Sequence, residues 1–94
     1  MKNIVVATDF SKRSDVAIAR GAALARAQNA KLTVAHIVDD DQSERLASAA
    51  ETEAGALFDA LSAGLQRDHH LDASLVVTRG DPHAEILNVA RNRT

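Results

Sequence analysis

The chain contains no cysteine, tryptophan or tyrosine, a single proline, and two aromatic residues, Phe10 and Phe58. Without cysteine there is no disulfide framework, no thiolate nucleophile and no thiolate metal ligand. A reducing compartment fits that composition. Two rings in 94 residues offer almost no platform on which the bases of a single-stranded nucleic acid could stack. The formal charge of −2 comes from 11 Lys and Arg against 13 Asp and Glu, so the basic excess that a phosphate backbone demands is missing. No apolar run approaches the roughly 20 residues of a membrane-spanning helix. The opening Met1-Lys2-Asn3 leads into a hydrophobic stretch, Ile4 to Thr8, that is too short for a secretory signal. The expectation is a cytoplasmic protein with neither nucleic acid nor membrane as partner.

What is present is aliphatic and small. Hydrophobic residues make up 46% of the chain, and alanine supplies much of that share. The length corresponds to one domain, residues 1–94, and folding at this size buries only about 60–65% of the surface of the unfolded chain. A thin core rich in Ala and Val suits helices packed closely onto a sheet.

The hydrophobic pattern reads as three strand-then-helix units. Ile4-Val5-Val6-Ala7-Thr8 is apolar on consecutive positions, as in a strand covered on both faces. Asp9-Phe10-Ser11 turns the chain, and either Ser11 or Ser14 can cap a helix running to about Asn29. Ala17, Gly21, Leu24 and Ala25 recur at helical spacing and predict its buried stripe. Leu32 to Val38 is a second strand, and Asp39-Asp40-Asp41 a polar connection. A long helix is predicted from about Ser43 to Gln66, buried along Leu46, Ala50, Leu57, Leu61 and Leu65. A charged link from Arg67 to Asp72 carries His69 and His70, and the third strand spans about Ala73 to Thr78. In Gly80-Asp81-Pro82, Asp81 suits the cap and Pro82 the first position of a last helix. Ile86, Val89 and Ala90 form that helix's packing side.

Strands alternating with helices imply a parallel sheet. Crossovers between parallel strands are right-handed in about 98% of cases. If strand two adjoins strand one and strand three adjoins strand two, the first two helices share a face. The third then covers the opposite face, or leads to a strand beyond strand one. The expected outcome is a three-stranded sheet of order 3-2-1 with three helices and an unpaired edge on strand one. Exposed edges pair with other chains, so a homodimer or another protein partner is expected there.

Few residues form a pattern that chemistry could use. Asp9 stands at a strand end, where a carboxylate can accept hydrogen bonds from a ligand or from its own turn backbone. His36 lies within a strand and reads as a packed, hydrogen-bonded residue. The adjacent His69 and His70 lack the four-residue step that places two histidines on one helical face for zinc, and His83 stands apart from them. Asp39-Asp40-Asp41 has neither the spacing nor the following glycine of a calcium loop. Lys12 and Arg13 read as surface charge. No nucleophile–base constellation is visible, so the chain does not read as an enzyme and no metal is expected.

Three blocks together resemble the universal stress protein family: Ile4 to Ser11 as its opening strand and loop, Leu32 to Val38 as its second strand, and Gly80-Asp81-Pro82 with Ile86 and Ala90 as the turn and helix after its third. The resemblance covers the whole chain. It implies an α/β fold of the adenine-nucleotide alpha-hydrolase-like type, in which a five-stranded parallel sheet is ordered 3-2-1-4-5, and it implies ATP or AMP as the ligand of many members. Asp9 would contact the adenine or ribose, and Ala7, Thr8 and Val38 would line the adenine pocket. The family's phosphate-binding segment, Gly-x2-Gly-x9-Gly-Ser/Thr, has no counterpart here. The four glycines, Gly21, Gly55, Gly64 and Gly80, lie in helices or in the third turn. The chain therefore reads as the domain cut short of its fourth strand, a stress-response domain with weak or lost nucleotide affinity. The alternative is a ligand-free assembly or adaptor module that dimerises through the edge of strand one.

Overall fold

Three parallel strands form one sheet in the order β1-β2-β3, the neighbour relations expected from the alternating pattern. The computed structural model describes residues 2–93 as β1 (Asn3–Ala7), α1 (Lys12–Gln28), β2 (Lys31–Asp39), α2 (Glu44–His69), β3 (Ala73–Gly80) and α3 (Pro82–Arg93). Register is continuous, with Ile4 beside Leu32, Val6 beside Val34, and Val34 beside Leu75. The central strand is the most deeply buried: Leu32, Thr33, Val34 and Ala35 are at most 1% exposed. Helices α1 and α2 pack on one face and touch each other, whereas α3 packs against all three strands and touches neither. The third helix thus covers the opposite face.

Side chains that begin and end the helices explain their limits. Ser11 caps α1 by accepting from the Ser14 N–H at 3.2 Å, so of the two candidate serines it is the first that caps. Asn29 closes α1 in the left-handed region at φ 51°, and the Ala30 N–H then donates to the Ala25 carbonyl at 2.8 Å. Ser43 caps α2, and His70 ends it in the same left-handed geometry. Helix α2 therefore continues through Arg67, Asp68 and His69, which the sequence suggested as a link. The two expected strand ends also extend, to Asp39 in β2 and to Gly80 in β3.

The core between the sheet and the helix pair gathers Ile18, Ala22 and Ala25 of α1, Leu32 and Val34 of β2, and Phe58 and Leu65 of α2. Both helical stripes differ in part from the expected ones. In α1 the buried residues are Ile18, Gly21, Ala22 and Ala25, while Ala17 and Leu24 are exposed. The reason is position. Helix α1 lies over β1 and β2, with Asp15 and Ala19 lining the groove toward α2. Ala17 and Leu24 fall on the other side of the helix, past the edge of β1, where the sheet ends. In α2 the buried residues are Ala47, Ala54, Phe58 and Leu65, and Leu46 and Leu57 are exposed. The stripe is turned by one residue because Phe58, the bulkiest side chain on the helix, faces the sheet.

Gly21 sets the distance between α1 and β1. A Cβ there would lie 2.7 Å from Val6 Cγ2, so only a glycine permits this approach. Among the described residues no helix is long and apolar enough to cross a membrane.

Candidate functional site

The carboxyl ends of β1 and β2 open into a cavity of about 330 Å³ lined by Ala7, Thr8, Asp9, Ser14, His36, Ile37, Pro82 and Ile86. Its size lies at the lower end of the roughly 300–1,000 Å³ typical of small-ligand sites. The floor is the end of the sheet, one wall is the loop from β1 to α1, and the other is the first turns of α3. That turn is placed by Gly80 at φ 149°, a backbone angle that side chains other than glycine's rarely adopt, and by Asp81, whose carboxylate accepts from the Ala84 N–H at 3.0 Å.

Asp9 is held by a closed set of local hydrogen bonds. Its Oδ1 accepts from the Ser14 hydroxyl at 2.6 Å and from the Ser11 N–H at 2.9 Å, while its own N–H donates to Ser14 Oγ at 3.1 Å. The Ser11 and Ser14 hydroxyls and the Ser11 N–H hold its carboxyl well below the usual carboxylate range. The bonds from the Ser14 hydroxyl and the Ser11 N–H both fall on Oδ1. Asp9 is thus an ionised acceptor aimed from a rigid turn. It does not have the raised pKa that a general acid requires.

The loop's shape depends on Phe10. At φ 64° it lies in the left-handed region, which costs an ordinary side chain about 1–2 kcal/mol. Its ring packs on His36 at 4.6 Å and edge-on to Phe58 at 5.3 Å between centroids. The Phe10 N–H donates to Thr8 Oγ1 at 3.0 Å. Core packing and a local hydrogen bond therefore hold the strained residue next to Asp9. His36 is anchored in turn, with Nδ1 at 2.8 Å from the Thr8 carbonyl oxygen. A carbonyl only accepts, so Nδ1 carries the proton.

Of the residues singled out in the sequence, Ala7, Thr8 and Asp9 all line this cavity. Val38 does not: it is 2% exposed and buried at the end of β2. Its neighbours His36 and Ile37 line the cavity instead, together with Ser14, Pro82 and Ile86, which the sequence did not single out for this site. The signal for His36 was present as a polar residue within an apolar strand. Pro82 and Ile86 could be found only by knowing that α3 crosses to the face opposite α1 and α2. His69, His70 and His83 do not form a site, and among the described residues no group of three or more His, Cys, Asp or Glu could hold a metal ion.

A parallel sheet between a helix pair and a single helix defines an α/β fold, a class in which ligands commonly sit at the carboxyl ends of the strands. The sequence profile of the universal stress protein family matches residues 1–94. The chain belongs to that family. Among curated proteins no relative matches it in sequence. Its fold is similar to the universal stress protein UspA from Lactobacillus plantarum, with a TM-score of 0.87 at 20% identity over 97% of this chain and 69% of that one. It is also similar to a universal stress family protein from Burkholderia pseudomallei, with a TM-score of 0.80 at 23% identity over 97% and 73% of the two chains. A universal stress protein from Archaeoglobus fulgidus DSM 4304 matches with a TM-score of 0.68 at 19% identity, over 97% of this chain and 29% of its own.

Proposed function

We propose that this chain is a stress-response binding domain that holds the adenosine end of a nucleotide weakly and does not grip its phosphates. The observation that carries this reading is the cavity at the ends of β1 and β2, in which Ala7, Thr8 and the fixed carboxylate of Asp9 converge. A purine and ribose offer an apolar body and hydrogen-bond donors, which match apolar walls and the ionised carboxylate of Asp9. Phosphates need a cluster of backbone donors, and these 94 residues contain no glycine-rich loop. The Asp9 carboxylate, held below its ordinary pKa by Ser11 and Ser14, is a weak base toward the Ser14 hydroxyl, which supports binding over catalysis. Calorimetric titration with adenosine, AMP and ATP tests the reading. All three are expected to bind with dissociation constants on the order of 0.1–1 mM, within about threefold of one another, and Asp9→Ala is expected to weaken all three alike. ATP binding about a hundredfold tighter than adenosine would overturn it.

A second reading is favoured by β1. Ile4, Val5 and Val6 are only half-buried at the sheet edge, and Leu24, 48% exposed, overhangs it from α1. An assembly or adaptor module would cover this edge with a second copy, joining two three-stranded sheets into one. Light scattering on a size-exclusion column at millimolar concentration is the check: a dimer supports the reading and a clean monomer contradicts it.

A further inference from the structure

The layer formed by α1 and α2 carries two unlike features side by side. The first is a groove between the helices, made of two adjoining cavities of about 220 and 310 Å³ that share Asp15, Ile18, Ala60 and Leu61. Its walls are apolar, with Leu57 still 39% exposed. The charges along it are acidic: Asp15 on α1, Asp68 at one end, and Glu53 beside Leu57 at the other. The second feature is the outer face of α1, turned away from the buried stripe of Ile18, Gly21, Ala22 and Ala25. Lys12, Arg13 and Arg20 are exposed there, with Val16, 54% exposed, among them. The one acidic residue of α1, Asp15, lies in the groove instead. Among the described residues no ion pair includes Lys12, Arg13, Arg20, Asp15 or Glu53.

A basic ridge with an apolar centre is thus the counterpart of the acidic groove beside it. We propose that this layer is an interface between two copies of the chain, the α1 ridge of each lying in the α1–α2 groove of the other. A two-fold axis parallel to the helices makes both contacts at once, because ridge and groove are neighbours on one surface. The contact would cover Val16 and Leu57 and bring Lys12, Arg13 and Arg20 to the partner's carboxylates. At 17 and 26 residues the helices span about 25 and 39 Å. Together they offer a face on the order of 500–800 Å², near the roughly 800 Å² per partner of a standard interface. The proposal does not rest on the adenosine reading, and it places the second copy on the helices rather than on the edge of β1.

Charge reversal tests it. One variant reverses the ridge, Arg13→Glu with Arg20→Glu, and the other the groove, Asp15→Lys with Glu53→Lys. All four positions are exposed, so the fold is expected to survive, with circular dichroism as the check. Sedimentation equilibrium of the whole chain is expected to show a dimer for the native sequence. Each variant alone is expected to self-associate about a hundredfold more weakly, since like charges then face one another. An equimolar mixture of the two is expected to recover the dimer, because the reversed ridge meets the reversed groove and the native ridge the native groove. Unchanged dimerisation of both variants would overturn the proposal and leave the edge of β1 as the interface. A mixture that stays monomeric would overturn it too, and a native chain that stays monomeric at millimolar concentration would sink both interfaces.

Discussion

Asp9 and Gly21 show how single side chains shape the site and its support. The Asp9 carboxyl ionises more readily in the folded chain than at its ordinary value of 3.8, chiefly through hydrogen bonds from Ser11 and Ser14. A depressed folded value stabilises the fold above the unfolded pKa, and that contribution is lost as pH falls toward the folded value. In urea unfolding, the stability advantage of the native chain over Asp9→Asn is therefore expected to be constant at neutral pH and to shrink below about pH 3.8. An advantage that grew in acid would contradict the hydrogen-bonded carboxylate. At Gly21 the effect is steric. Gly21→Ala would place a methyl group 2.7 Å from Val6 Cγ2. Moving β1 or Val6 aside is expected to cost about 1–3 kcal/mol, readable by denaturant unfolding. An unchanged midpoint would show that α1 can lift off β1 freely.

Among the elements, β3 and α3 act through their ends. Arg79, near the end of β3, reaches the first turns of α2: its guanidinium meets Glu44 at 2.6 Å, Glu51 at 2.5 Å and Ser48 Oγ at 3.2 Å. The Glu44 carboxyl is held below its ordinary value by the hydrogen bond from Arg79 first and then by Ser48. Glu44 is largely exposed, so salt screens the contact. Arg79→Met is expected to speed amide exchange in the first turns of α2 while the β2 amides keep their protection. Uniform loss of protection would contradict a local clamp. Gly80→Ala acts on α3, since the positive φ and the contact with Glu85 force its first turn to move. A penalty of about 1–3 kcal/mol and weaker adenosine binding are expected together. These elements also show what could be read in advance. Strand–helix alternation revealed all six elements because each hydrophobic run is bounded by cap and turn residues, and Asp81-Pro82 marked the start of α3. The buried stripes were legible only in part. Leu24 and Leu46 are as apolar as Leu65, and only the width of the sheet and the placement of Phe58 decide which of them face it. Ala7, Thr8 and Asp9 could be assigned from a strand end and a resemblance. His36 was signalled only as a polar residue within an apolar strand, because its anchoring depends on a Thr8 carbonyl that reaches it across two paired strands.

At the level of the whole molecule, the described residues are a three-layer sandwich, helix pair, sheet and single helix, with the outer edges of β1 and β3 both unpaired among them. The cavity lies where the loop after β1, the end of β2 and the start of α3 meet, so the cavity and one of the two unpaired edges share β1. Any chain that pairs with β1 would therefore sit beside the loop that carries Asp9. A crystal structure of the chain grown with AMP decides whether that cavity is a nucleoside site. The expected result is a base and ribose between the ends of β1 and β2, with a ribose hydroxyl within hydrogen-bonding distance of the Asp9 carboxylate and the phosphate facing solvent. AMP bound in the groove between α1 and α2, or a phosphate gripped by backbone N–H groups, would contradict it.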